Sequence, residues 1–205
     1  IARTAGEDRD NVAQAGAYML SAEEEILLEK VRANFDKVVV VLNVGNIIDF
    51  AFVDKYEPDA VLLAWQGGMI GGRGTADWLL GNANPSGKLS DTVAYSLSDY
   101  PSDRNFSDGP EDIYQEDVYV GYRYFSTFAP ECVRYAFGYG LSYTEFAICI
   151  TSVKEEKDTV TFNGKVRNTG KFAGKEVVMV YVNPPQGLLG RPLRMLGGFT
   201  KTDIL

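Results

Sequence analysis

Val38-Val39-Val40-Val41-Leu42 is a continuous apolar run with no polar alternation. A strand of this kind offers no face to water. It belongs in a sheet covered on both sides, which is the setting of parallel sheets. Its surroundings agree. Ser21 followed three residues later by Glu24 forms a capping box. Behind it Ile26, Leu27, Val31 and Phe35 recur at helical spacing, which predicts a helix over about residues 22–35. Downstream of the run, Asn43-Val44-Gly45-Asn46 is a polar loop, and a short helical or irregular stretch leads to Pro58. Ala60-Val61-Leu62-Leu63-Ala64-Trp65 then reads as a second buried strand, ended by Gly67-Gly68. Ala76, Leu79 and Leu80 predict a helix over residues 75–80 that Gly81 stops. Asn84-Pro85-Ser86-Gly87 has the composition of a turn, and residues 88–93 suggest a further strand. Strand and helix alternating through short loops is the α/β pattern, with right-handed crossovers and a parallel-type sheet.

Two changes of character follow. From about residue 94 to 140, Asp, Ser, Pro, Gly and Tyr dominate. Tyr114, Tyr119, Tyr122, Tyr124, Phe125 and Phe128 lie in this stretch, and so many aromatics predict a connector packed on the domain rather than a free linker. From Phe146 the pattern alternates: Phe146, Ile148 and Ile150 share a face, Val160, Phe162 and Val166 follow, and residues 177–182 form another strand. Asn168-Thr169-Gly170 and Asn183-Pro184-Pro185 supply turns. Short alternating strands predict an antiparallel β-sandwich, but about 60 residues is too few for a complete one of roughly 100. The fold class expected is therefore α/β: a partial α/β sandwich over 1–93, an aromatic-rich linker over 94–145 and an incomplete β-sandwich over 146–205. The beginning at Ile1 and the stop within the strand-rich part are read as the ends of a piece of a larger protein.

Composition removes several function classes. The net charge of −8 argues against a nucleic-acid surface, which needs a dense Lys/Arg patch. No apolar stretch approaches the 20 or so residues that span a bilayer, so no membrane partner is expected, and location, cytoplasmic or secreted, stays open. The absence of histidine excludes a Ser-His-Asp triad, a Cys-His pair and a His-based zinc site within these 205 residues. Cys132 and Cys149 have no metal-like spacing and read as buried free thiols. Gly72-Arg73-Gly74-Thr75-Ala76-Asp77 begins like a dinucleotide fingerprint but has Asp77 where the third glycine belongs. Residues 81–89 miss the phosphate loop in spacing, and Leu89 stands where a Ser or Thr would hold magnesium. Tight turns explain these glycines better, and no cofactor is called for. The acidic triplet Glu23-Glu24-Glu25 is accounted for by the helix dipole.

Acid–base chemistry must then rest on carboxylates, Lys, Tyr or Cys. Glu7 is the candidate. It lies in Arg3-Thr4-Ala5-Gly6-Glu7-Asp8-Arg9-Asp10, a loop-like stretch after what should be a strand end, where α/β sheets bind ligands. By composition alone a solvated surface ion pair is the favoured reading.

The motifs tip that balance. Gly6-Glu7 with Arg9-Asp10 resembles the acid/base loop of glycoside hydrolase family 3, which includes the β-glucosidases. Trp65-Gln66-Gly67-Gly68 resembles that family's glycine-rich turn, and Asp77-Trp78-Leu79-Leu80-Gly81 leading to Asn84-Pro85-Ser86-Gly87-Lys88-Leu89 its most recognisable stretch. Gly121-Tyr122-Arg123-Tyr124-Phe125 and Phe137-Gly138-Tyr139-Gly140-Leu141-Ser142 are also similar. Asn168-Thr169-Gly170, Gly174-Lys175-Glu176-Val177 and Arg191-Pro192-Leu193 resemble the fibronectin type III-like domain that follows in many members. Asp8 stands where the family commonly has glycine.

The resemblance implies a retaining hydrolase of terminal β-D-glycosidic bonds, with Glu7 as the general acid/base. It implies a carbohydrate substrate, a β-glucoside or oligosaccharide, with β-xylosides or α-arabinosides as alternatives. It implies a partner as well, a (β/α)₈ barrel of the same protein that carries the aspartate nucleophile. Arg3 and Arg9 are expected to point away from Glu7, since a general acid must keep its proton. The alternative is a non-catalytic carbohydrate-binding or structural module, with the linker aromatics as a sugar-stacking surface.

Overall fold

The computed structural model describes residues 1–3, 12–105, 110–111 and 113–205. Helix α1 spans Ala22–Asn34 and starts on the capping box: Ser21 Oγ accepts from the Glu24 N–H at 3.3 Å, and Glu24 Oε2 accepts from the Ser21 N–H at 2.8 Å. Ser21→Ala removes half of this box and is expected to lower stability by about 1 kcal/mol, read as a small fall in the thermal midpoint. The helix buries Leu28, with Val31 partly covered. Ile26 and Leu27 of the expected apolar stripe, and Phe35 just past the helix, are instead about half exposed or more. The helix carries apolar side chains on more than one face, and of the expected stripe Val31 is the member that packs on the core.

Strand β1 (Val39–Leu42) pairs in parallel with β2 (Ala60–Leu63), Val39 opposite Ala60 and Leu42 opposite Leu63. Asp59 sets this register by accepting from the Val38 N–H at 2.9 Å and from Lys37 Nζ at 2.8 Å. On the other side of β1, residues 1–3 add a parallel edge: Arg3 N donates to Asn43 O and Asn43 N to Ile1 O, both at 2.9 Å. Helix α2 (Ala51–Tyr56) crosses between β1 and β2. Leu28, Val40, Leu42, Val44, Ile48, Phe50, Phe52 and Val93 form the core, with Leu42 fully buried. Only one face of β1 is covered among the described residues. Val40 and Leu42 are buried, while Val39 is 46% exposed and β2 is half-buried throughout. The two-sided burial read from the Val run is thus met on one side.

Helix α3 (Gly71–Leu79) begins four residues earlier than its apolar pattern suggests and runs through the three glycines. The would-be dinucleotide fingerprint is therefore helix, not phosphate loop. The strand expected over residues 88–93 is reduced to β3 (Val93–Ala94), and it pairs antiparallel with β4 (Val133–Tyr135), outside the parallel sheet.

Several aromatics of the stretch after β3 pack on one another. Helix α4 (Tyr122–Phe128) buries Phe125 against Tyr100 and Tyr124 at ring distances of 5.4 Å. Arg134 ties the connector to α2 through two hydrogen bonds to Asp54 (2.9 and 2.6 Å) and lies over the Tyr95 ring at 4.6 Å. Its guanidinium holds the Asp54 carboxyl below the usual carboxylate range. Tyr114 and Phe128 are exceptions to the burial, at 90% and 57% exposed.

Two antiparallel ribbons follow: β5 (Phe146–Glu156) with β6 (Thr159–Asn168), and β7 (Val177–Val182) with β8 (Met195–Lys201). They are not hydrogen-bonded into one sheet. Ile148, Ile150, Val153, Val160 and Phe162 stand exposed along the first ribbon. Cys149 is exposed and Cys132 half-buried, so the expectation of two buried thiols fails: Cys149 lies on that uncovered ribbon. Among the described residues no helix is long and apolar enough to cross a membrane.

Candidate functional site

Parallel strands gather their carboxyl ends at one edge, and that edge is where α/β folds bind ligands. Three segments leave the sheet there: the chain after Arg3, the loop after β1 from Asn43, and the turn after β2 at Trp65. Glu7, the catalytic residue expected from the sequence, lies outside the described residues, as does Arg9. What the described residues do provide is the frame on either side of residues 4–11.

On the near side stands Arg3, whose side chain is 13% exposed. Its Nε donates to Glu24 Oε1 at 3.1 Å and its Nη2 to Glu24 Oε2. The same guanidinium donates to Ala17 O through Nη1 and to Met19 O through Nη2 at 3.0 Å. On the far side, residues 12–19 form a compact turn, with the Gln14 and Tyr18 N–H groups both donating to Val12 O and Gly16 N to Met19 O at 3.0 Å. Gly16 takes φ +81° at this turn, a conformation costly for a residue with a Cβ. Burial alone pushes the Glu24 carboxyl up, but the Arg3 hydrogen bonds and charge and the Ser21 N–H outweigh it, and Glu24 titrates below the usual carboxylate range. The acidic triplet is thus more than a dipole match. Glu24 holds Arg3, and Glu25 accepts from Lys55 and Tyr56.

The turn after β2 is strained. Trp65 sits at φ +53°, which a bulky residue rarely adopts. Gly67 approaches the next helix so closely that a Cβ on it would lie 2.6 Å from Gly71 Cα. Close backbone approach accounts for the glycine-rich turn read from the sequence. Below the edge, Tyr18 is buried, and burial pushes its phenol well above the ordinary tyrosine range.

The remaining motifs serve the junction with the ribbons. Asn84 Oδ1 accepts from Ser142 Oγ and from the Tyr143 N–H, both at 2.9 Å, while its Nδ2 donates to Ala173 O at 3.0 Å. Lys88 Nζ donates to Gly140 O at 2.8 Å and pairs with Glu176 at 3.0 Å. A cavity of about 490 Å³ opens beside this pair, lined among others by Tyr122, Phe137, Tyr181 and Arg194. Its aromatics are engaged with one another: Tyr122 stacks on Phe137 at 4.8 Å, and its hydroxyl accepts from the Leu196 N–H. No group of His, Cys, Asp and Glu that could hold a metal occurs among the described residues.

Fold and motif order point to one class, a domain of the sugar hydrolases. The chain belongs to glycoside hydrolase family 3: residues 1–143 match the family model described as the glycosyl hydrolase family 3 C-terminal domain. It is 56% identical over 205 residues to a beta-glucosidase of Ruminococcus albus, covering all of this chain and 22% of that protein. Among solved structures it matches a beta-glucosidase of Paenibacillus barengoltzii with a TM-score of 0.96 at 48% identity, over 100% of this chain and 23% of that one. Beta-glucosidase 3B of Thermotoga neapolitana, solved with glucose, matches with a TM-score of 0.93 at 40% identity, over 100% of this chain and 30% of that one. The chain thus spans less than a third of the length of these relatives.

Proposed function

We propose that this chain is the acid/base-bearing part of a retaining β-glucosidase. In this reading 1–93 is the partial α/β sandwich domain, 94–145 its packed linker, and 146–205 the start of a fibronectin type III-like sandwich. A (β/α)₈ barrel of the same protein supplies the aspartate nucleophile. That aspartate attacks the anomeric carbon while Glu7 protonates the leaving oxygen; Glu7 then takes a proton from water as water releases the sugar. Retention sets the two carboxyl groups about 5–5.5 Å apart. The substrate is a terminal β-glucoside, in keeping with the names of the relatives.

One observation carries the reading. Ala2 bridges Asn43 in parallel, Arg3, the last described residue before the segment, donates its N–H to Asn43 O at the carboxyl side of the sheet, and Glu7 follows four residues on in the sequence. The Arg3 guanidinium is committed to Glu24 and two carbonyls, which removes one of the two cations that would otherwise lower the pKa of a general acid. The uncovered face of β1 and the exposed stripe of the first ribbon favour a chain that works against further structure. A sugar-binding module is less well supported, because several of the connector's aromatics, Tyr100, Tyr122, Tyr124 and Phe125 among them, are engaged with other rings. Glu7→Gln in the complete enzyme, assayed with aryl β-glucosides of graded leaving-group ability, tests the assignment.

A further inference from the structure

The ion pair between Arg3 and Glu24 does something that a helix cap and a surface salt bridge do not. We infer that Arg3 and Glu24 are positioning residues for catalysis: they brace the two stems from which residues 4–11 arise. This rests on the reading of Glu7 as the acid/base.

Four contacts define the brace. Two run from Arg3 to the Glu24 carboxylate and two to the carbonyls of Ala17 and Met19. Arg3 is the last described residue before the segment, and Ala17 and Met19 lie in the first turn after it. A single planar group therefore holds both stems at a fixed separation. The backbone bond from Arg3 N to Asn43 O fixes the same residue to the sheet edge. Glu24 is itself held by the Ser21 N–H at the start of α1, so the frame is anchored to the helix as well.

Chemistry favours arginine here. Its rigid fork meets a carboxylate in two parallel bonds and still has donors left for the carbonyls; a lysine ammonium can neither span these partners nor fix an orientation. Both side chains are largely buried, 13% and 19% exposed, so water competes little for the contacts. An exposed ion pair is worth close to nothing, whereas breaking a buried one is costly. An acid that must meet the leaving oxygen tolerates little displacement: an error of about 1 Å can cost on the order of a hundredfold in rate. Glu7 is four residues from Arg3 in the sequence.

The test is made in the complete enzyme with Arg3→Ala, Arg3→Lys and Glu24→Gln beside Glu7→Gln. The readout is kcat/KM for phenyl β-glucoside, whose leaving group needs a proton, and for 2,4-dinitrophenyl β-glucoside, whose leaving group does not. Arg3→Ala is expected to lower the first by about tenfold to a hundredfold and the second by less than about threefold. Glu24→Gln keeps the shape of the cap and should show the same selectivity to a smaller degree. It stands in if Arg3→Ala does not fold. Arg3→Lys should fail to restore the phenyl glucoside rate. Equal losses on both substrates would mean a purely structural role, and no loss would mean no role; either overturns the inference. If Glu7→Gln itself shows no dependence on the leaving group, the acid/base reading falls and the inference with it. If Glu7→Gln shows that dependence and the Arg3 and Glu24 variants do not, only the brace is wrong.

Discussion

Glu7→Gln in the complete enzyme is expected to lower kcat/KM for phenyl β-glucoside by about 10²–10⁴-fold, the range general acid catalysis supplies. Glutamine keeps the size and much of the hydrogen bonding of glutamate but has no transferable proton. The loss should therefore track the need for one. With 2,4-dinitrophenyl β-glucoside the first step needs no acid, and kcat/KM should change little. Turnover should still fall, because the same residue is the base that activates water in the second step. The glycosyl-enzyme should then accumulate. Azide, a nucleophile that needs no base, should restore turnover and yield a β-glucosyl azide. An unchanged rate on phenyl β-glucoside would remove Glu7 from the mechanism. The chain alone, without the barrel that holds the nucleophile, is expected to hydrolyse neither substrate.

Where sequence reading succeeded, the signal was local. The capping box needs only Ser21 and Glu24, three residues apart, and the helix starts where it says. The apolar runs mark β1, β2 and β7 to within two residues, since a strand's apolar character is written in the strand. The errors were of pairing and of covering. The Val run implied two covered faces, but what lies over a face depends on elements elsewhere, and only one face is covered among the described residues. β3 finds its partner about 40 positions away, and no local pattern shows that it turns antiparallel there. Helix α3 runs through glycines that would weaken it in isolation by roughly 1 kcal/mol each, so tertiary context sets its start. Of the candidate site, the sequence reading singled out residues 3–10 and passed over the contacts on either side of them. Arg3 and Glu24 are 21 residues apart, and Glu24 already had a sufficient local explanation as a cap. An arginine ahead of a capping-box glutamate was the available clue.

The stretch around Asn84 and Lys88 shows what such a motif can be for, and it carries the second large effect. Lys88 and Glu176 form an ion pair with both side chains 16% exposed, joining the α/β part to β7. Lys88→Met leaves the Glu176 carboxylate with the N–H of Val177 and strips a donor from Gly140 O. A buried charge that loses its partner costs about 3–5 kcal/mol. Because this pair retains some contact with water, we expect about 3 kcal/mol, the lower end of that range, read as a thermal midpoint lower by about 6–12 °C. Glu176→Leu alone should be damaging for the mirror-image reason, a largely buried ammonium left with the Gly140 carbonyl and no counter-charge from Glu176. The double variant Lys88→Met/Glu176→Leu strands neither charge. It should recover most of the loss, because apolar replacements of a buried pair are often neutral. If the single losses simply add, the pair does not hold the junction. Recovery would mean that the lysine fixes how the two parts meet and contributes little net stability. The crowding at Gly140 fits that role: a Cβ there would stand 2.5 Å from Gly87 O, so the two segments that Lys88 ties together are already at backbone contact.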